Sequence, residues 1–240
     1  MSDLIDYYYH KERCILDAEN KIIMIFTPRA ACTLACNIFF EHMDLRETFD
    51  KSVWIHKYRQ AYRPWANDHI FSSPEFTKIK FIRNPYKRAV SSYLYAMIDY
   101  PQERKFSFYG FIKCLKVGAF CSDILYHCLS QYSPIYEKYT DHYVRVEYIE
   151  DDLKCIDKEY STEFVKAYHK INVEEHNVSH KDSKNKEIQE FIGQTSYNDL
   201  LKKFNNPHAD YKYYYNDEVR AMVEKVYAQD CERYGYEFDL

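Results

Sequence analysis

The chain has 240 residues, 46% of them hydrophobic and 18% aromatic, which is enough to bury one sizeable core, so a single domain over 1–240 is expected. The formal net charge of −4 argues against general nucleic-acid binding, although basic clusters such as Lys57, Arg59 and Arg63 still suit an anionic ligand. The opening MSDLIDYYYH has neither a basic n-region nor an apolar h-region, and no window approaches the roughly eighteen apolar residues of a membrane span. Neither a signal peptide nor a span is expected, and the cytoplasm is the expected location. The eight cysteines, at 14, 32, 36, 114, 121, 128, 155 and 231, show no C-x-x-C pair, which points to buried or neutral thiols in a reducing compartment and to no metal site.

In chain order, residues 1–20 are polar and aromatic without clear period and read as a partly ordered lead-in. Residues 21–27 form a first strand and 32–43 its helix, with Leu34, Ile38 and Phe39 at helical spacing. From 44 to 77 the pattern is weak: VWIHKY suits a short strand, and RPWANDHIFSSP reads as a loop because Pro64 and Pro74 interrupt it. A second core strand at 78–83 leads into a helix at 85–99, with Pro85 in its first turn and Tyr86, Val90, Tyr93, Leu94 and Met97 on one stripe. Segments 106–117 and 121–139 read as helical, broken by Gly118 and Pro134. DHYVRVEYI, 141–149, alternates as a third strand, and EDDLKCI opens another helix with acids in its first turn. Residues 174–187 are polar throughout and read as a mobile loop; the last helix carries Val219, Met222, Val223, Val226 and Tyr227 as one apolar stripe. Strands alternating with helices predict a parallel, doubly wound α/β sheet.

Two stretches stand out chemically, FTPRAACTLA at 26–35 and FIRNPYKRAVSSY at 81–93. Each passes from a short apolar strand through a tight turn into a helix. A helix start presents unpaired N–H groups and the positive end of the dipole, so each stretch is a potential anion site, and two of them suit a ligand with two separated phosphates. Arg83 at a strand end and Ser91 two helical turns later can converge on one phosphate, the guanidinium bidentately; Arg88 shares a helix face with Ser91, and a surface salt bridge is its alternative. The first stretch lacks the Gly-Lys-Ser/Thr ending of a triphosphatase loop, and no strand ends in an evident magnesium-binding aspartate, which disfavours ATP or GTP hydrolysis.

PRAACT followed by a helix resembles the 5′-phosphosulfate loop of sulfotransferases, particularly the carbohydrate sulfotransferase group, through Pro28, Arg29, Ala31, Cys32 and Thr33. RNPYKRAVSSY resembles their 3′-phosphate motif through Arg83, Pro85, Arg88, Ser91 and Tyr93. Weaker echoes follow in the same order at His127 and Gln131, in VRVEYIEDDL, and at Tyr227, Asp230, Tyr234, Gly235 and Tyr236, so the resemblance spans about residues 21–238. It implies a P-loop-like parallel sheet flanked by helices on both faces. It also implies 3′-phosphoadenosine 5′-phosphosulfate (PAPS) as sulfuryl donor and a hydroxyl or amine of a carbohydrate or small polar metabolite as acceptor. The N–H groups of Ala30, Ala31, Cys32, Thr33 and Leu34 would then hold the 5′ end, with the Thr33 hydroxyl adding a bond.

Many sulfotransferases carry Lys where this chain has Arg29, which keeps its proton and serves by charge alone. Ala31 stands where others have Gly and asks for a turn that tolerates a Cβ. A general base is implied between the two motifs. His56 is the first choice, then His69 and His127, with Glu147 a further candidate. KYRQAYR at 57–63 suits a sugar or anionic acceptor and equally a solvated helix face. A P-loop-type kinase and a catalytically silent nucleotide-binding module are the alternative readings.

Overall fold

A computed structural model of the chain describes residues 13–50, 53–63, 68–171, 185–204 and 206–238. In chain order its elements are β1 (Cys14–Asp17), β2 (Ile22–Ile25), α1 (Cys32–His42), α2 (Ile55–Arg59), α3 (Asp68–Ser72), β3 (Thr77–Ile82), α4 (Pro85–Asp99), α5 (Phe108–Lys116), α6 (Ser122–Cys128) and α7 (Pro134–Glu137). They continue with β4 (His142–Arg145), α8 (Ile149–Tyr160), α9 (Phe164–Lys170), α10 (Tyr197–Lys203), α11 (Asp217–Val226) and α12 (Ala228–Tyr234). The chain divides into two compact units, Met1–Arg83 with Gln131–Asn177, and Asn84–Ser130 with Val178–Leu240.

The first unit is α/β. Its sheet runs in the order β1-β2-β3-β4, with β1 antiparallel to β2 and the other pairs parallel. β2, IIMI, is buried along its whole length, as a strand covered on both faces should be. On one face Met24, Ile79, Phe81 and Val144 pack with Leu34, Ile38 and Phe39 of α1, Leu153 and Ile156 of α8 and Phe164 of α9. On the other, Cys14, Ile23 and Ile25 meet Phe71 of α3 and Tyr136 of α7. Helices therefore flank both faces, and the parallel strands deliver their carboxyl ends to the two motif turns.

The second unit is helical among its described residues. The expected stripe of α4, from Tyr86 to Met97, is buried against Phe108, Phe111, Tyr214, Val219 and Val223. Tyr93 sits at its middle, edge-on to Phe108, Phe111, Tyr197 and Tyr214 at ring distances of 5.5, 5.5, 6.2 and 6.0 Å, the offset geometry aromatic rings prefer. Gly193 is required here, because a Cβ would lie 2.2 Å from the Tyr214 carbonyl oxygen.

Several sequence expectations need correction. CILD within the expected lead-in is strand β1, paired to β2. VWIHKY is no strand: Trp54 is the extended cap of α2, since an apolar run this short carries too little periodicity to separate strand from helix. Part of the expected proline-bounded loop is α3. The strand expected over 141–149 ends at Arg145 and turns into a 3₁₀ helix, Val146–Tyr148; the helical segment expected over 121–139 is broken at Pro134 as expected, into α6 and a short α7 that starts there. The final helix breaks at Tyr227. Residues 1–12 of the lead-in, 64–67 of the expected loop and 174–184 of the polar segment lie outside the described residues. No helix among the described residues is long and apolar enough to cross a membrane.

Candidate functional site

Between β2 and α1 the chain makes its turn with two left-handed residues that are not glycine, Arg29 at φ 65° and Ala31 at φ 56°. Each such residue costs about 1 kcal/mol or more, so the surroundings must hold the turn in place. Ala30 N–H donates to the Thr27 carbonyl at 3.0 Å, closing the turn, and Ala30 is buried. Ala31 is the cap of α1, yet no side chain caps the helix and no acid lies in its first turn. The N–H groups at the start of this eleven-residue helix therefore meet a dipole end that nothing on the helix offsets.

His56 is buried and lies against this helix start. Its Nδ1 is 2.9 Å from Arg59 Nη1 and its Nε2 is 3.1 Å from Thr33 Oγ1. Arginine can only donate, so Nδ1 is the acceptor and Nε2 carries the proton that it gives to Thr33. Arg59 also lies over the Phe26 ring, 4.8 Å from its centroid. The Cys32 sulfur is 3.9 Å from Nε2 and the Cys36 sulfur 3.8 Å from Nδ1. Burial pushes the Cys36 thiol far above its ordinary value and the Cys14 thiol up to about 12, so both are protonated apolar groups in this core.

Arg83 follows β3, half-buried, and donates from Nη1 to the carbonyl of Arg29 at 2.9 Å. Its own backbone is held by one side chain: Arg83 N–H donates to Gln131 Oε1 and Gln131 Nε2 donates to the Arg83 carbonyl, both at 2.8 Å. The geometry thus ties the left-handed turn after β2 to the residue that ends β3.

In the second unit, the start of α4 departs from expectation. Asn84 accepts from the N–H groups of Tyr86 and Lys87 at 3.0 and 3.3 Å, and Pro85 has no N–H, so this helix start satisfies its own donors instead of leaving them for an anion. Arg88 is 0% exposed, with Nη2 3.4 Å from Asp230 Oδ2 and its guanidinium 4.7 Å from the Tyr227 ring centroid. Its Nε and Nη1 have no hydrogen-bond partner among the described residues. Ser130 Oγ donates to the other oxygen of Asp230. Ser91 is buried on the same face of α4. His127, on α6, has Nδ1 2.9 Å from the Asp123 carbonyl and 3.5 Å from its carboxylate, and its ring lies 4.1 Å from that of Tyr95 on α4.

Of the other base candidates, His69 falls within α3, but its side chain lies outside the described residues, and Glu147 sits half-buried in the 3₁₀ turn after β4. Sequence reasoning placed Arg59 only in a basic cluster suited to an anionic ligand or acceptor, not on His56, had Gln131 only as a weak motif echo, and missed Lys80. Among the described residues no three His, Cys, Asp or Glu side chains cluster in a way that could hold a metal ion. Comparison of the chain with known protein families, with curated proteins and with solved structures found no match.

Proposed function

We propose that the chain is a sulfotransferase that moves a sulfuryl group from PAPS to a hydroxyl or amine of a carbohydrate or small polar metabolite. The observation that carries this reading is the uncapped, acid-free start of α1, reached through the left-handed Arg29–Ala31 turn and tied to Arg83 at the end of the neighbouring parallel strand. Ligands of open α/β sheets lie outside the carboxyl ends of the strands, where these residues stand. The motif likeness at Pro28–Thr33 and Arg83–Tyr93 supplies the identity of the ligand class.

The residues present fit such a donor at its 5′ end: N–H groups, a fixed cation and a hydroxyl, with no carboxylate on the first turn to repel an anion. PAPS, when bound, supplies a sulfuryl group on a weakly basic phosphate. Arg29 offsets charge at that phosphate without giving up a proton. Thr33 Oγ1 accepts a hydrogen bond from His56 Nε2–H, which lets its own O–H point at an anion. Arg83 adds charge beside the turn that it braces.

His56 is the base candidate nearest the loop, and to accept a proton at Nδ1 it must first lose Arg59. Comparing His56→Ala with His56→Gln separates two roles, using acceptor-dependent release of adenosine 3′,5′-bisphosphate from PAPS as readout. A base predicts that both variants lose turnover by at least about 100-fold while nucleotide affinity holds. Near-normal turnover in His56→Gln instead assigns His56 to orienting Thr33, since the amide still donates. Wild-type protein that neither turns over PAPS with any carbohydrate or small-metabolite acceptor nor binds the bisphosphate contradicts the function.

A further inference from the structure

We infer that Gln131 is a positioning residue for Arg83, the end of a buried polar relay that fixes the anion-facing turn. β3 lies between two parallel neighbours, where continuous apolar sequence is the rule, yet Lys80 on it is 1% exposed. Lys80 is ion-paired to Glu137 of α7, and Glu137 also accepts from the Tyr143 hydroxyl at 2.6 Å. Tyr143 is the register partner of Lys80 on β4, so both side chains rise from the same face of the sheet. The second bond of Lys80 Nζ goes to the backbone carbonyl of Gln131 at 2.8 Å.

A buried ion pair adds little stability compared with apolar residues of the same volume, and its best-supported use is to fix one geometry. The geometry fixed here is that of Gln131, itself 1% exposed. Its amide takes both backbone groups of Arg83, as a strand neighbour would, at the point where the chain leaves β3. Only a Gln side chain supplies an acceptor and a donor at that reach; Glu keeps the acceptor and loses the donor. With its backbone held, the Arg83 guanidinium reaches the Arg29 carbonyl and over-determines a residue at φ 65°. The relay therefore runs from Tyr143 through Glu137, Lys80, Gln131 and Arg83 to the turn. Its consequence for nucleotide affinity rests on the donor-site reading above; its consequence for the turn does not.

The test uses the full chain with Gln131→Ala, Gln131→Glu, Arg83→Ala and the double variant Gln131→Ala/Arg83→Ala. Two readouts are taken: hydrogen exchange of the Ala30 and Ala35 amides, which bond to the Thr27 and Ala31 carbonyls, and the dissociation constant for adenosine 3′,5′-bisphosphate. Gln131→Ala is expected to speed exchange at both amides and to weaken the bisphosphate, each by about tenfold, with Gln131→Glu in between and core amides of β2 unchanged. The double variant is expected to match Arg83→Ala alone, because both substitutions remove one connection. Unchanged exchange at Ala30 and Ala35 in Gln131→Ala, or effects of the two substitutions that multiply, overturns the inference. Faster exchange of these amides in a protein that does not bind the bisphosphate supports the positioning role and removes the donor reading instead.

Discussion

Arg29 and Ala31 show what a residue can conceal. A left-handed backbone is normally announced by Gly or Asn, and PRAACT contains neither, so the sequence marked where α1 begins but not the shape of the turn before it. Small residues at 30 and 31 were legible as a tight approach; the φ values were not. His56 is a similar case. Its position between the motifs was readable, whereas its bonds to Arg59 and Thr33, and so its tautomer, follow from packing alone. Strain at residue 31 has a direct consequence. Ala31→Gly removes the clash of a left-handed Cβ, and the fold is expected to gain about 1 kcal/mol, read as a higher midpoint of chemical unfolding. A lower midpoint contradicts the left-handed assignment at this position.

Elements with a long period were the most legible. The 85–99 helix was placed to its ends, because Pro85 in the first turn and an apolar stripe over about three turns agree. That Asn84 caps α4 was not read from the sequence, where this helix start reads only as an anion site, although Asn is among the residue types that cap helices. β2 and β3 were found as apolar runs, but KIKFI gave no hint that both of its lysines are buried, since charge in a strand ordinarily means an exposed face. Short runs failed where propensity is weakest: β1 has four residues and α2 five. The buried pair within β3 makes the element-scale prediction. Lys80→Met alone strands the Glu137 carboxylate and is expected to cost about 3–5 kcal/mol, whereas Lys80→Met with Glu137→Leu is expected to recover most of that loss. Equal destabilisation by the single and double variants, measured by urea unfolding, contradicts the pairing.

At the scale of the molecule, the alternation of strand and helix patterns led to the α/β class and composition to the expectation of one core and one domain, while the division into units was beyond the reach of either. The chain enters the second unit at Asn84, leaves it at Ser130 and enters it again at Val178, and no proline-rich or glycine-rich linker marks any of these points. Periodicity reports which face of an element is covered and is silent on which distant segment covers it. What was readable at this scale was the repetition of strand, turn and helix, and it led to the first-unit turn where His56 bonds to Thr33 and Arg83 to the Arg29 carbonyl. The function proposed for that turn is tested most directly by calorimetric titration of the purified protein with adenosine 3′,5′-bisphosphate, beside ATP and ADP, with and without magnesium. Micromolar, magnesium-independent binding of the bisphosphate with little affinity for ATP is the expected result; preference for magnesium-ATP, or no binding of any of the three, contradicts it.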